Sequence, residues 1–537
     1  MGTVRDALRL PDIRRIELGY GWSVAGELAG TVSLVVYAFG AGGAALVAAY
    51  AASRTLAGMV VALVLAGVIN RFRRDRLLRW ITAARAVLLA AAAAMAALHE
   101  PPGAVIALAA ASSSLAGTYR PLQAAVLPWL VRTPAELTAS NAVTAVMENF
   151  GALIGPLAAG VLLVVAAPSA ATALAAGVLG VATASLARLT VPETPRLAGG
   201  AGHAIRDVTG GVAEFTRLAP PGGVAILIFA QTFVRGALVV LIPVLAVQVL
   251  ALGESAVGWL NAAFGAGGLI GGAVAAAAVR FTRLGRSFVT GLLLWGLPLL
   301  LLALVTTAVT AYLALVVAGI GNAVQDTGCY TLVTRLAGPR AAGRVLGAFE
   351  FVVLAGLATG SILTPLLLHV FGVRGALALL GGGLAGLALA HTVRFMRLDR
   401  AMPAPRPEVG LLRDLPMFAP LPMAVTELLA AEAEPRQFPA GTVVTREGEP
   451  GDHFYVIVDG SAAVTVHGVP GAPLARGDCF GEIALLRDVP RTATVTAEQQ
   501  LHTLALGRAE FLTALAGSRA SRAAADALAT QRLAADP

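Results

Sequence analysis

The stretch Phe480 to Val495, FGEIALLRDVPRTATV, sets one carboxylate and one guanidinium among turn-forming residues. Glu482 is an acceptor placed to take a hydrogen bond from a sugar hydroxyl, and Arg491 brings a planar, permanently charged fork that suits phosphate oxygens. Gly481 allows backbone to approach a ligand closely, and Pro490 fixes the turn before Arg491. The apolar run from Ile483 to Leu486 predicts a single helical turn whose first N–H groups favour an anion. Taken alone, a Glu and an Arg in such a setting form an ordinary surface ion pair. The stretch as a whole reads as a small pocket for a sugar phosphate.

A second set of charges lies inside long apolar runs, where an ion is costly unless it is paired or hydrated. Glu27 sits in the middle of the first run, with Ser23 and Thr31 one turn away on the same face. Arg54, Arg120, Glu148, Arg235, Asp326 and Glu350 are the others read from the sequence. Gln231 with Arg235, and Asn322 with Asp326, share faces at i, i+4 spacing. Glu148 and Glu350 occupy nearly equivalent places in two halves of the chain, which favours a gating or structural ion pair over contact with cargo. Glu27 and Arg235 lie deeper, where lining a cavity and filling a structural role stand even.

The elements that must position these residues follow from composition. Of 537 residues, 57% are hydrophobic and 13% charged, against ~45–50% and ~25% in soluble domains. The bias is confined to residues 17–393; residues 413–537 have an ordinary soluble composition. Apolar runs long enough to cross a bilayer predict twelve helices, near 17–38, 44–69, 81–98, 104–123, 141–166, 170–190, 224–250, 258–279, 287–307, 309–333, 345–370 and 375–393. Arginine-rich connections at 70–79, 280–286, 335–344 and 394–400 fall on one side of this count. By the positive-inside rule that side is cytoplasmic, and an even count puts both termini there. Arg14 and Arg15 before the first run give it some likeness to a signal peptide, but the run is too long and is read as the first span.

The loop 191–223 divides the membrane region, residues 1–400, into halves of about 1–190 and 224–400. NRFRRDR echoes RFTRLGR, and ELTASNAV echoes AAGRVLGA, each at an offset of about two hundred residues. Parallel six-helix repeats with a site between them are a transporter architecture. Residues 401–412 are rich in proline and predict a semi-rigid linker. Beyond it, short β-branched and aromatic runs broken by Gly, Pro and Asp predict a β-roll or jelly roll over 413–537, with a helix from Arg519 to Leu533.

Several classes are disfavoured. The net charge of +8 invites a nucleic-acid partner, but every basic residue is Arg and most sit between apolar runs. Cys329 and Cys479 fall in different environments, so neither a disulfide nor a metal site is expected. No Ser/His/Asp set and no P-loop is present, so an enzyme with a catalytic centre or cofactor is not expected.

The order Phe480-Gly481-Glu482-Ile483-Ala484-Leu485, then Pro490-Arg491-Thr492-Ala493, resembles the phosphate-binding cassette of cyclic-nucleotide-binding domains, as in catabolite activator proteins and cyclic-nucleotide-dependent kinases. LPMFAPLP (415–422) and GEPGDHFYVIVDG (448–460) extend the likeness over about 120 residues. The resemblance implies that Glu482 holds the ribose 2′-hydroxyl and Arg491 the cyclic phosphate. Backbone amides around Gly481, Ile483 and Ala484 complete the cradle, and Ala493 closes the motif. Thr492 adds a hydroxyl beside the phosphate, which leaves cAMP and cGMP both open. A degenerate domain kept for structure is the alternative.

The membrane region resembles the major facilitator superfamily, particularly its drug- and siderophore-exporter branches, over about 380 residues. GVINRFRRDR (67–76) is similar to its loop motif, with Asn70 where that motif carries Asp, which weakens inherited charge-based gating there. Arg120-Pro-Leu-Gln123 is similar to a fourth-helix motif tied to proton coupling, and GALIGPLAAG (151–160) to a fifth-helix antiporter motif. The latter also fits ordinary small-residue packing. The expectation is a proton-coupled exporter of a small hydrophobic or amphipathic molecule, regulated by cytoplasmic cAMP or cGMP, with Glu27, Arg120, Arg235 and Asp326 as transport residues. A membrane receptor or scaffold that senses the nucleotide without moving cargo is the alternative. A nucleotide-gated channel fits the tail but not the body, which lacks a filter motif and a regular arginine series.

Overall fold

The computed structural model describes residues 11–68, 72–130, 134–189, 223–278, 284–401, 407–421, 423–516 and 518–535. These form a helical unit, followed by a C-terminal unit that begins just after residue 401. The loop expected at 191–223 lies, but for its last residue, outside the described residues.

The helical unit comprises α1 (Pro11–Val68), α2 (Arg74–Ala97), α3 (Pro102–Ser114), α4 (Tyr119–Leu130), α5 (Pro134–Leu162) and α6 (Pro168–Leu186). After the undescribed loop come α7 (Gly223–Pro243), α8 (Ser255–Ala278), α9 (Leu284–Leu304) and α10 (Ala308–Ala401). Ala, Leu and Val fill these runs, and helix is how such a chain meets its own backbone hydrogen-bonding needs in lipid. Prolines open α3 and α6, where the missing N–H would have had no partner.

Among the described residues, nine helices are long and apolar enough to cross a membrane, where twelve spans were expected. The difference has a physical cause. The apolar stretches Pro11–Ala62 and Val345–Arg400 hold 52 and 56 residues, each more than twice the ~20 that one crossing needs. In α1 the helix breaks at Gly42 and Gly43, with φ of −160° and 59°, so two helices meet at a kink. Gly43 takes a left-handed conformation that side chains with a Cβ avoid. The span expected at 104–123 is interrupted by a 3₁₀ turn, Ala116–Thr118, which separates α3 from α4.

The C-terminal unit adds α11 (Pro407–Asp414) and α12 (Met423–Glu432) before eight strands. These are β1 (Glu434–Phe438), β2 (Val443–Thr445), β3 (His453–Asp459), β4 (Ala462–Val466), β5 (Val469–Pro470), β6 (Cys479–Phe480), β7 (Thr494–Ala497) and β8 (Leu501–Gly507). Two four-stranded sheets result, ordered β1-β8-β3-β6 and β2-β7-β4-β5, with all pairs antiparallel. A short helix α13 (Glu482–Arg487) follows β6, and α14 (Arg508–Ala516) and α15 (Arg519–Ala535) close the chain.

Strand β3 shows how the sequence builds two cores at once, because successive side chains leave a strand on opposite faces. Tyr455 and Ile457 pack between the sheets with Phe480, Val495 and Leu501. Phe454 and Val456 face the other way, onto Phe418, Leu429 and Phe511 of the helical layer. Phe454 and Phe511 stack with ring centroids 4.6 Å apart.

The expected linker at 401–412 needs correction at its C-terminal end. A helix starts at Pro407, and Val409 and Leu412 are buried in the C-terminal unit's core. Proline suits a helix's first turn, and the apolar pair that follows it belongs to the domain.

Candidate functional site

Strand β6 ends at Phe480, Gly481 turns the chain with φ of 87°, and Glu482 opens α13. This is the strand, turn and helical segment expected from the sequence. Gly481 is needed twice over. Its φ lies in the left-handed region, and a Cβ there would collide with the Arg491 guanidinium and come within 2.9 Å of the His453 carbonyl. Glu482 is 1% exposed and Arg491 6% exposed, so two charged side chains that usually seek water are both enclosed.

Arg491 is held by acceptors from β3 and from the turn. Its Nη1 donates to the Gly481 carbonyl at 3.2 Å; its Nη2 donates to the His453 carbonyl at 2.9 Å and to Asp452 Oδ1 at 3.3 Å. These bonds use three of the five guanidinium N–H donors. The group lies over the Tyr455 ring, 6.0 Å from its centroid, and that ring stacks on Phe480 at 4.9 Å. Burial pulls the Arg491 guanidinium below its ordinary range, and Tyr455 and Asp452 offset part of that shift. Burial alone would raise Asp452, but hydrogen bonding and charge from His453, with help from Arg491, hold its carboxyl below the usual value.

Glu482 accepts a 2.7 Å hydrogen bond on Oε1 from Arg532 Nη1, which reaches over from α15. Its other oxygen, Oε2, is buried with no hydrogen-bond partner. A buried acceptor left unmet is costly, so this atom marks where a donor from a ligand would be satisfied. Arg532 was not singled out in the sequence, since an arginine in an Ala-rich tail carries no spacing signal. Burial would lower its pKa, yet Glu482 and Cys479 raise it above its ordinary value. Ile483 and Ala484 are buried beside Glu482, while Thr492 and Ala493 are half-buried beyond Arg491. Gly481, Glu482, Ile483 and Ala484 are consecutive at the β6–α13 turn, Arg491 reaches back to the Gly481 carbonyl, and Thr492 and Ala493 follow Arg491 in the chain.

Several of the ionisable residues in the apolar runs are paired. Glu27 Oε2 accepts from Arg85 Nη2 at 2.7 Å, and Arg54 Nη1 lies 3.6 Å from Glu27 Oε1. Ser23 and Thr31, expected on the face of Glu27, take hydrogen bonds from Arg85 and Arg54 respectively. Arg85 was missed in the sequence, although it interrupts the apolar run of its helix as the sole charge between Arg79 and His99. Elsewhere, Arg120 pairs with Glu148. Its helix neighbour Gln123 donates to Thr144, which in turn donates to the buried Glu17. The Arg120 motif thus ties α4 to α5. Gln231 donates to Asn322 at 3.4 Å, and Asn322 to Asp326 at 2.9 Å, joining the two pairs expected to share faces. Arg235 on α7 and Asp326 on α10 are both exposed.

A roll of two antiparallel sheets that encloses a carboxylate and a guanidinium at one turn is built to bind an anionic ligand with a hydroxyl. Comparison with known families agrees: residues 435–518 match the cyclic nucleotide-binding domain, and residues 224–446 match the Major Facilitator Superfamily. In sequence order, a stretch that matches the Major Facilitator Superfamily is thus followed by one that matches the cyclic nucleotide-binding domain. Among curated proteins it is similar to a cAMP-dependent protein kinase regulatory subunit of Yarrowia lipolytica, 42% identical over 104 residues, covering 19% of this chain and 28% of that protein. The corresponding subunit of Dictyostelium discoideum is 45% identical over 91 residues, with 16% and 28% covered. A cyclic nucleotide-gated potassium channel of Mesorhizobium japonicum is 38% identical over 101 residues, with 19% and 28% covered. The chain spans less than a third of the length of each of these relatives.

Proposed function

We propose that the protein is a multi-pass membrane transporter whose activity is set by a cyclic purine nucleotide bound to the C-terminal unit. The observation that carries the regulatory half is the enclosed pair at the β6–α13 turn. Glu482 keeps one oxygen free for a ribose hydroxyl, and Arg491 keeps two N–H donors free for phosphate oxygens. The nucleotide is cAMP or cGMP, and the names of the kinase relatives favour cAMP. Backbone amides around Gly481, Ile483 and Ala484 complete the phosphate contacts, with Thr492 adjoining.

In the helical unit, twelve crossings follow if α1 crosses twice, α10 three times, and the broken run from α3 to α4 once. A repeat of six is supported by matched packing. Gly155 of α5 sits against Ala25 of α1, and Gly360 of α10 sits against Phe233 of α7, with corresponding members about two hundred residues apart. Such close backbone approaches suit helices that must slide or rock. Proton-coupled export of a small amphipathic molecule is the reading of transport itself, with both termini in the cytoplasm. Glu27, Arg120, Arg235 and Asp326 are the candidate residues, and Arg120 acts through its pairing with Glu148.

A ligand shifts a two-state carrier only by its differential affinity, and ~1.4 kcal/mol gives a tenfold change. The test is calorimetric titration of the full chain with cAMP and cGMP, together with dye flux in proteoliposomes with and without each nucleotide. Binding accompanied by a change in flux is expected. Flux that ignores the nucleotide would leave transport standing and remove regulation, whereas binding without any flux would favour a receptor.

A further inference from the structure

Three charges from three apolar helical runs meet in the first half of the helical unit. Glu27 comes from α1 before its kink, Arg54 from α1 after it, and Arg85 from α2; each stands near the middle of its run. Arg85 is 1% exposed. It donates to Ser23 Oγ at 2.7 Å and to Glu27 Oε2 at 2.7 Å, while its Nε–H has no partner. Arg54 donates to Thr31 Oγ1 at 2.8 Å and shares the same carboxylate. Among the described residues no second acid pairs with either arginine. Two guanidinium groups thus divide one carboxylate, leaving a net positive charge well inside a membrane protein, where charge demands compensation.

The surplus charge does not face lipid. On its helix, Leu56, Val60 and Val64 are exposed at four-residue spacing and mark the outer stripe. At 100° per residue Arg54 lies roughly 120° from the centre of that stripe. Leu18 and Trp22 likewise mark the exposed side of α1, with Glu27 turned well away. Yet the Arg54 side chain keeps 27% of its surface open.

We propose that Arg54, backed by Arg85, receives a carboxylate-type anionic head on an otherwise apolar cargo. The entering oxyanion supplies the negative charge and the acceptor that the three residues lack, while Ala- and Leu-rich walls receive the apolar body. Glu27 has a distinct part: by pairing with Arg85 it leaves Arg54 as the cation the cargo meets. The assignment names the cargo class of the transporter proposed above and rests on that reading.

The test uses the full chain in lipid nanodiscs and three probes of one shape: 2-naphthoate, its neutral amide 2-naphthamide, and the cation 2-naphthylmethylammonium. The wild type should bind naphthoate about tenfold or more tighter than the amide, with the cation weakest. Arg54→Gln should bring that ratio to about twofold or less, Arg54→Lys should keep part of it, and Glu27→Gln should increase it. Equal affinity of the wild type for the three probes, or a ratio that Arg54→Gln leaves in place, overturns the proposal. Counterflow of labelled naphthoate in proteoliposomes separates the two readings. Anion-selective binding without counterflow supports the site and removes transport; counterflow of a neutral dye without anion preference removes the site and leaves transport.

Discussion

The C-terminal pocket and the charge network of the helical unit each enclose a carboxylate against arginine, but they assemble those groups from the chain in different ways. In the pocket, Glu482 and Arg491 stand nine residues apart at either end of the α13 segment; the carbonyls of Gly481 and His453 orient Arg491, and Arg532 orients Glu482. In the helical unit, Glu27, Arg54 and Arg85 come from separate helical runs and meet only because those runs pack together. The pocket's two charges are near neighbours in sequence, although His453 and Arg532, which help hold them, come from more distant parts of the chain. A site spread over several helices depends on every helix being in place, so it must also change when the helices move.

Four measurements would sharpen or break that contrast. The largest effect is expected for Glu27→Ala, which leaves Arg85 buried without its counter-ion. Loss of one partner from a buried pair costs about 3–5 kcal/mol, and the lower end is expected because Glu27 is 17% exposed. The thermal unfolding midpoint of the helical unit should fall sharply, and less so for Glu27→Gln. An unchanged midpoint would mean that the network is not held as tightly as its distances imply.

Next comes Arg491→Ala. Removing the cation opposite a phosphate should weaken nucleotide binding by about a hundredfold or more, on the order of 3 kcal/mol. Calorimetry on the full chain reads this directly, and binding within threefold of the wild type would reduce the pocket to a structural ion pair.

A smaller loss is expected for Arg532→Ala. Arg532 occupies Oε1 of Glu482 and leaves Oε2 free, so it orients the carboxylate without displacing a ligand. Its guanidinium is 30% exposed, and a screened contact of this kind is worth about 1 kcal/mol. Binding should weaken by about fivefold, and amide exchange in α15 should quicken. Tighter binding would instead show that Arg532 competes with the nucleotide.

The smallest effect concerns Cys479. Burial, followed by the charge of Glu482, pushes its thiol up to about 12 from an ordinary 9. Because the folded value is the higher one, this contribution to stability is whole below pH 9 and is lost as pH rises toward 12. Cys479→Ser should flatten the alkaline limb of unfolding over that window. Alkylation of the native thiol at pH 8 should be slow.

The same contrast explains what could be read from residue order. The pocket was legible because its turn, glycine and both charges fall within sixteen consecutive positions. The face of Glu27 with Ser23 and Thr31 was legible too, since one helix keeps them in line. What those residues bind was not, because Arg85 reaches them from another helix and no spacing records that meeting. Arg532 escaped notice for the same reason, lying fifty residues from Glu482. The end of the linker was misplaced because its prolines were read as a semi-rigid connector, whereas Pro407 begins a helix.

One strand of the roll has a further implication. Through alternate side chains, β3 gives Tyr455 to the floor beneath Arg491 and Phe454 to the bed on which Phe418 and Phe511 rest. Neither side can shift along the strand without dragging the other, and interiors packed this closely resist partial displacement. Occupancy at the turn and the seating of the aromatic trio should therefore switch as one event, giving the tail two settings rather than a dial.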